Sequence, residues 1–213
     1  TSTGVDSVLL GGLGDTVTLT GVLTSTTLNA GSGADSIVVN ANVSSGYFDL
    51  SAGAQGAADD TLNFLPASAS IVATTIKGGA GADNISLYGA NDVVLNVSSG
   101  DSVFGGTGAD TLLFTGSVLN SSIHAGSGND SIVMSGTGMT SNTIDLGVGT
   151  DTIKFTTATT ADTVTVTSAT VAGAKTLIFE KAASAPVLTT GAGADDLVFK
   201  AAVSGAGAIA TNS

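Results

Sequence analysis

Repeated G-x-G-x-D turns are the residues of this chain whose types and spacing could do chemistry. Glycine adopts left-handed dihedral angles, so such a turn can aim its carbonyl oxygens at one point. Each aspartate adds a hard, charged oxygen. Calcium takes roughly six to eight oxygens in flexible geometry, whereas magnesium requires a strict octahedron and zinc prefers cysteine or histidine. The pattern therefore predicts calcium sites. Six good copies end at Asp35, Asp83, Asp110, Asp130, Asp151 and Asp195.

The copies recur along almost the whole chain. Two weaker copies end at Asp15 and Asp60, and AGAKTLIF carries Lys175 in the aspartate position. The nine units have a mean spacing of about 22 residues, a period typical of solenoids. We therefore expect an all-β fold, a parallel β-solenoid with coils of about 22 residues. Residues 1–213 would form a single β-solenoid domain, which could be a fragment of a longer repeat protein. The spacing leaves open whether the cross-section has two sides or three.

Apolar residues two apart follow each aspartate. Such pairs point to the same side of a strand, here toward the core. The pairs are Ile37–Val39, Leu62–Phe64, Ile85–Leu87, Leu112–Phe114, Ile132–Met134, Ile153–Phe155, Leu177–Phe179 and Leu197–Phe199. A second strand precedes the glycines, and the alignment places Leu28, Ile76, Val103, Ile123, Ile144 and Leu188 in one register. A nine-residue echo also links Asp83, Asp92, Asp101 and Asp110.

The composition limits the partners. The chain has 17 acidic residues, five lysines and a formal net charge of −12, which argues against nucleic acid and anionic membranes. No apolar run approaches the length that spans a membrane. There are no cysteines, so disulfides do not hold the fold. A hydrophobic content of 42% is unlike that of a disordered chain.

The turns resemble the RTX, or haemolysin-type, calcium-binding repeat G-G-x-G-x-D-x-U-x, and the resemblance covers most of the chain. It implies a β-roll that forms on calcium binding, type I secretion and a location at the bacterial cell surface or outside the cell. The implied ligands are Asp15, Gly33, Asp35, Asp60, Gly81, Asp83, Gly108, Asp110, Gly128, Asp130, Gly149, Asp151, Gly193 and Asp195. Asp15 and Asp60 match less well, because GGLGD is one residue short and GAADD lacks the second glycine.

Only one turn per coil keeps the pattern, whereas RTX rolls usually have it at both turns. We therefore expect one row of calcium ions, with six gaps between Asp15 and Asp151. Lys175 should interrupt this row, because an ammonium can replace a metal as counter-charge. We expect Lys175 to pair with a neighbouring carboxylate, and both gaps beside it to bind no calcium.

The remaining residues give little support for catalysis. His124 is the only histidine, so a Ser-His-Asp site would have to use it, and its position in the repeat predicts a surface residue. Paired carboxylates are explained by the repeat, which weakens a glycosidase interpretation. The residues between the glycines are irregular, which disfavours ice binding. An outward apolar row, Val38, Leu113, Val133 and Val198, fits either association between copies or coverage by the chain's own connections.

The sequence thus predicts an extracellular, calcium-stabilised structural protein with no catalytic residues. It would form a surface layer, filament or matrix by self-association, with a cell-surface polysaccharide as a further candidate partner. The alternative is a passive calcium-binding module of a larger secreted adhesin or exoenzyme. A polysaccharide-active solenoid is a third interpretation, which requires clustered carboxylates away from the repeated turns.

Overall fold

The chain winds as a parallel β-solenoid. The computed structural model describes residues 7–50, 58–65, 71–78, 82–87, 91–97, 99–165, 173–205 and 207–212. The architecture is all-β, with about eight turns and coils of about 20 residues. The predicted fold class is confirmed, with coils slightly shorter than expected. Within the described ranges, no helix is long and apolar enough to cross a membrane.

The described residues form 26 strands. In chain order they are β1 Ser7–Leu9, β2 Thr16–Thr20, β3 Leu23–Thr24, β4 Thr27–Asn29, β5 Ser36–Asn40, β6 Val43–Ser44, β7 Tyr47–Asp49, β8 Thr61–Leu65, β9 Ile71–Lys77, β10 Asn84–Ser86, β11 Asn91–Asn96, β12 Ser102–Thr107, β13 Thr111–Phe114, β14 Ser122–Ser127, β15 Ser131–Met134, β16 Met139–Thr140, β17 Thr143–Asp145, β18 Asp151–Phe155, β19 Thr159–Thr160, β20 Thr163–Thr165, β21 Lys175–Phe179, β22 Ala183–Ser184, β23 Val187–Ala192, β24 Asp196–Phe199, β25 Val203–Ser204 and β26 Ala208–Asn212.

Two long sheets form the broad faces. Face A runs β1-β4-β7-β9-β11-β13-β15-β18-β21-β24, with β3 and β6 beside it, and face B runs β2-β5-β8-β10-β12-β14-β17-β20-β23-β26. A narrow third sheet, β16-β19-β22-β25, consists of two-residue strands. The cross-section is therefore two-sided, with a short third side over part of its length.

The predicted inward residues form the core. The members of each apolar pair from Ile37–Val39 to Leu177–Phe179 are buried, whereas Leu197 and Phe199 in the last pair are partly buried. Identical positions stack from coil to coil. The rings of Phe155 and Phe179 are parallel with centroids 4.6 Å apart, and Phe199 continues the stack at 4.9 Å. This apolar ladder joins the last coils of face A.

The repeated turn changes edge along the solenoid, so the prediction of a single row is wrong. We call the turns that lead from face A to face B edge 1, and those from face B to face A edge 2. Edge 1 carries Asp15, Asp35, Asp60 and Asp83, which precede strands of face B. Edge 2 carries Asp110, Asp130, Asp151, Lys175 and Asp195, which precede or begin strands of face A. No gap exists between Asp83 and Asp110, which removes one of the six predicted.

The strands that precede the glycines are likewise divided between the two faces. Leu28 and Ile76 lie on face A, whereas Val103, Ile123, Ile144 and Leu188 lie on face B. The physical reason is a half-coil step. Asp83 and Asp101 are consecutive residues of edge 1, 18 residues apart, and Asp92 lies on face A beside Thr111. The aspartates spaced nine residues apart thus mark a coil with two short turns. Along this coil, the G-x-G-x-D turn moves from edge 1 to edge 2.

Candidate metal centre

Side-chain oxygens form a continuous hydrogen-bonded ladder along edge 1. Each one after the first accepts the backbone N–H of the equivalent residue in the preceding coil, at 2.7–3.2 Å. The ladder runs Asp15, Asp35, Asp60, Asp83, Asp101, Ser121, Asn142 and Asp162. The Oδ1 atoms of its carboxylates from Asp35 onward are therefore occupied by structural hydrogen bonds.

Edge 2 repeats this geometry with one interruption. The N–H of Asp110 donates to Asp130 Oδ1 at 3.0 Å, and that of Asp130 donates to Asp151 Oδ1 at 2.9 Å. Lys175 then takes the place of an aspartate, and its own N–H donates to Asp195 Oδ1 at 2.9 Å.

The glycines of the turns are required by dihedral angle and by space. Gly126 and Gly128 have φ of 110° and 141°, which L side chains rarely adopt. A Cβ on Gly128 would lie 1.8 Å from the carbonyl oxygen of Gly108 in the coil below. The turns can therefore stack closely only with glycine at these positions, which brings the carbonyl oxygens of successive coils together.

In three of the turns, the second carboxylate oxygen is buried and has no hydrogen-bond partner among the described atoms. Asp35, Asp83 and Asp130 are 1–2% exposed, and no hydrogen bond reaches their Oδ2 atoms. Burial raises the pKa of Asp83 to about 7 and that of Asp130 to about 6. Burial likewise raises the pKa of Asp60 to about 6. A bound cation would supply counter-charge to such buried oxygens, as the Lys175 ammonium already does in part for Asp130.

Lys175 shows where such a cation fits. Its side chain is fully buried, and its Nζ donates to Gly147 O at 3.0 Å, to Gly149 O at 2.6 Å and to Asp151 Oδ2. The two glycine carbonyls and the carboxylate of one G-x-G-x-D turn therefore converge on a single positive charge. The predicted pairing of Lys175 with a neighbouring carboxylate is confirmed.

The other predicted ligands differ in how well they fit this arrangement. Gly33, Gly108 and Gly193 have positive φ, as Gly128 and Gly149 do. Asp15 differs because its Oδ2 already accepts the Gly11 N–H at 3.0 Å. Gly81 lies outside the described residues. In the described part of the chain, no three histidine, aspartate or glutamate side chains group as metal ligands, so each candidate site depends on backbone oxygens.

Sequence reasoning missed Asp162. It is 2% exposed and belongs to the edge 1 ladder, but it follows Ala161, which has φ of 55°, rather than a glycine pair. A single left-handed residue thus replaces the G-x-G turn on this edge. The available signal was a pair of similar dipeptides one coil apart, Ser-Asn at 141–142 and Ala-Asp at 161–162.

Fold and ladders together define the chain as a parallel β-solenoid with buried acidic turns. Comparison with known protein families, with curated proteins and with solved structures finds no match.

His124 lies in a polar cluster on the outside of face B. Its Nε2 is 3.1 Å from Ser122 Oγ, its Nδ1 is 3.5 Å from Asp145 Oδ2, and its ring stacks on Phe104 at 5.0 Å. The order of groups is that of a Ser-His-Asp triad. However, β14 is paired with β12 and β17 on both sides, which uses backbone N–H groups that an oxyanion hole would need. The side chain of His124 is 39% exposed, as predicted for a surface residue.

The buried carboxyl group of Asp162 should make the stability of the fold depend on pH, and substitution of this residue isolates the effect. Burial raises its pKa from 3.8 to about 6, against the hydrogen bonds from Asn142. Because the folded state then binds this proton more tightly, the contribution to stability is complete below about pH 4 and is lost as pH rises through about 6. In chelator, the wild type should lose up to about 3 kcal/mol relative to Asp162→Asn between pH 4 and 7. Urea unfolding at several pH values measures the difference, and parallel curves would contradict the assignment.

Proposed function

We propose that this protein is a calcium-stabilised structural protein of the bacterial cell exterior, which forms a layer, filament or matrix by association of its copies. The observation that carries the calcium part is the Lys175 ammonium inside a G-x-G-x-D turn. Other turns have the same residues but no lysine above them. In the Gly126–Asp130 turn a free cation would meet the corresponding oxygens, Gly128 O and the unpartnered Asp130 Oδ2. The carbonyl oxygen of Gly126 is the third, and it also accepts the Val148 N–H at 2.9 Å.

The charge distribution supports a stabilising role for the cation. The net charge is −12, and buried carboxylates follow one another from coil to coil along each edge. Without counter-charge, neighbouring carboxylates repel, and part of the raised pKa of Asp83 comes from Asp101 and Asp60. A cation bound only by the folded state stabilises it by about 2.7 kcal/mol per site at one hundred times its dissociation constant.

The ligand chemistry favours calcium among the divalent metals. The turns offer carbonyl and carboxylate oxygens, the chain contains no cysteine, and its only histidine lies on the outside of face B. Oxygen ligands in a flexible turn suit calcium better than zinc or magnesium. The same chemistry would serve a passive calcium-binding module of a larger adhesin or exoenzyme, and the length of the full reading frame separates that alternative from the first proposal.

Asp130 and Asp162 provide a matched pair for testing calcium binding. Both are 2% exposed, belong to a ladder and have a pKa raised to about 6 by burial, but only Asp130 follows a glycine pair. In calorimetric titrations, Asp130→Asn should bind at least one calcium fewer than the wild type, whereas Asp162→Asn should bind the same number.

Circular dichroism and light scattering during calcium titration test the rest of the proposal. We expect calcium to raise the melting temperature and to drive growth of large particles. Stability and β-structure unaffected by calcium or chelator would refute the role of the metal. Monomers that persist at high protein concentration in calcium would refute assembly.

A further inference from the structure

We propose that Lys175 is a built-in counter-ion that occupies the turn Gly147–Asp151 in place of a metal, so that the coils on either side of it are independent of calcium. The statement about calcium rests on the proposed function. The assignment of Lys175 as the resident cation rests on geometry alone.

The ammonium uses its full hydrogen-bonding capacity at this site. A lysine ammonium has three N–H donors and no acceptor, and three oxygens surround this one: Gly147 O, Gly149 O and Asp151 Oδ2. The side chain is 0% exposed. A divalent cation would have to contact the same oxygens next to a buried positive charge, so the turn excludes metal.

The backbone around Lys175 is adapted to the substitution. Lysine offers no side-chain acceptor, so the N–H of Asp151 donates to the carbonyl oxygen of Ala174 at 3.1 Å. The N–H of Lys175 still donates to Asp195 Oδ1. A backbone hydrogen bond therefore replaces the side-chain bond that is missing from the ladder at Lys175, and the strand pairing of β18 with β21 continues over five residue pairs.

The turn that ends at Lys175 also lacks a site. Lys175 stands where the other copies have their aspartate, so this turn has no carboxylate of its own for a metal. Two consecutive turns of edge 2 thus have no need of calcium. The stacked rings of Phe155, Phe179 and Phe199 join the same coils, so apolar packing and an internal ion pair hold this segment.

Hydrogen exchange of the full chain, followed by mass spectrometry with calcium and with chelator, tests the consequence. We expect β18 and β21 to exchange at rates within about twofold in the two conditions, whereas β5 and β15 should exchange at least about tenfold faster in chelator. Equal acceleration of β18, β21, β5 and β15 by chelator would overturn the proposal.

Lys175→Met tests the counter-ion itself, with Lys200→Met as the control because the Lys200 side chain is 55% exposed. In chelator, Lys175→Met should melt about 10 °C below the wild type, since it leaves a buried carboxylate unpaired. Lys200→Met should melt within about 2 °C of the wild type. Equal melting temperatures for the two variants would overturn the assignment, whatever calcium does.

Lys175→Asp covers the case in which the methionine variant does not fold. It restores the carboxylate to the ladder and should bind at least one calcium more than the wild type. An unchanged number of bound ions, with calcium still stabilising the wild type, would refute the inference and leave the proposed function standing. If calcium affects none of the proteins but Lys175→Met is destabilised, the proposed function fails and the counter-ion assignment stands.

Discussion

Gly128→Ala should destabilise the solenoid by about 3–5 kcal/mol, because it combines backbone strain with overpacking. Gly128 has φ of 141°, and its added Cβ would lie 1.8 Å from Gly108 O and 2.5 Å from Gly108 C. These are backbone atoms of a neighbouring turn, so they cannot move aside as a flexible side chain can. Relief would require the two coils to separate, which would also open the candidate site at Asp130.

Gly12→Ala is the matched control for this prediction. A Cβ on Gly12 would have Ser32 Oγ at 3.4 Å as its nearest neighbour, and Gly12 is exposed. We expect a change within about 0.5 kcal/mol, as for ordinary surface substitutions. Urea unfolding in calcium measures both variants, and equal stability of the two would show that close stacking of the turns does not constrain the fold.

Phe179→Ala should cost about 3–5 kcal/mol, the usual range for truncating a buried phenylalanine. Phe179 is 1% exposed and lies between Phe155 and Phe199, with its ring nearly parallel to both. Each coil of a solenoid contacts mainly its neighbours, so the loss should open the last coils before the rest. Hydrogen exchange should show β21 and β24 losing protection first.

Phe104→Ala provides the comparison for the core ring. Phe104 is 38% exposed and stacks on His124 at the surface of face B, so its removal should cost about 1 kcal/mol or less. If Phe179→Ala cost no more than Phe104→Ala, the stacked core of face A would not be a source of stability.

The inward pairs and the parallel coils could be predicted from the sequence because each copy carries its own local signal. For example, Ile132 and Met134 are apolar residues two positions apart directly after a turn, and both are buried as expected. The pairing of Lys175 with a carboxylate could be predicted for the same reason, because alignment of the repeats alone places its ammonium at an aspartate position.

The change of edge could not be predicted from the turns themselves. Faces A and B have the same inward alternation, so a G-x-G-x-D turn fits equally well before a strand of either face. Only pairing with the neighbouring coil decides the edge, as when Ser102 pairs with Asn84 and not with Thr111. The nine-residue spacing around Asp92 was the one local sign of a half-coil step. The carbonyl directions around the Lys175 ammonium likewise depend on three-dimensional stacking, which a single turn does not contain.

The transfer of the repeated turn from edge 1 to edge 2 also limits how such a gene can lengthen or shorten. Unequal recombination between copies on one edge, such as those ending at Asp110 and Asp130, adds or removes 20 residues, a whole coil, and each later strand returns to its own face. Recombination between the copies ending at Asp83 and Asp110 would add or remove 27 residues, which is about one and a half coils. Each following strand would then lie against the wrong neighbour. Copies of similar amino-acid sequence are therefore not equivalent breakpoints, because whole coils are gained or lost only between copies on the same edge.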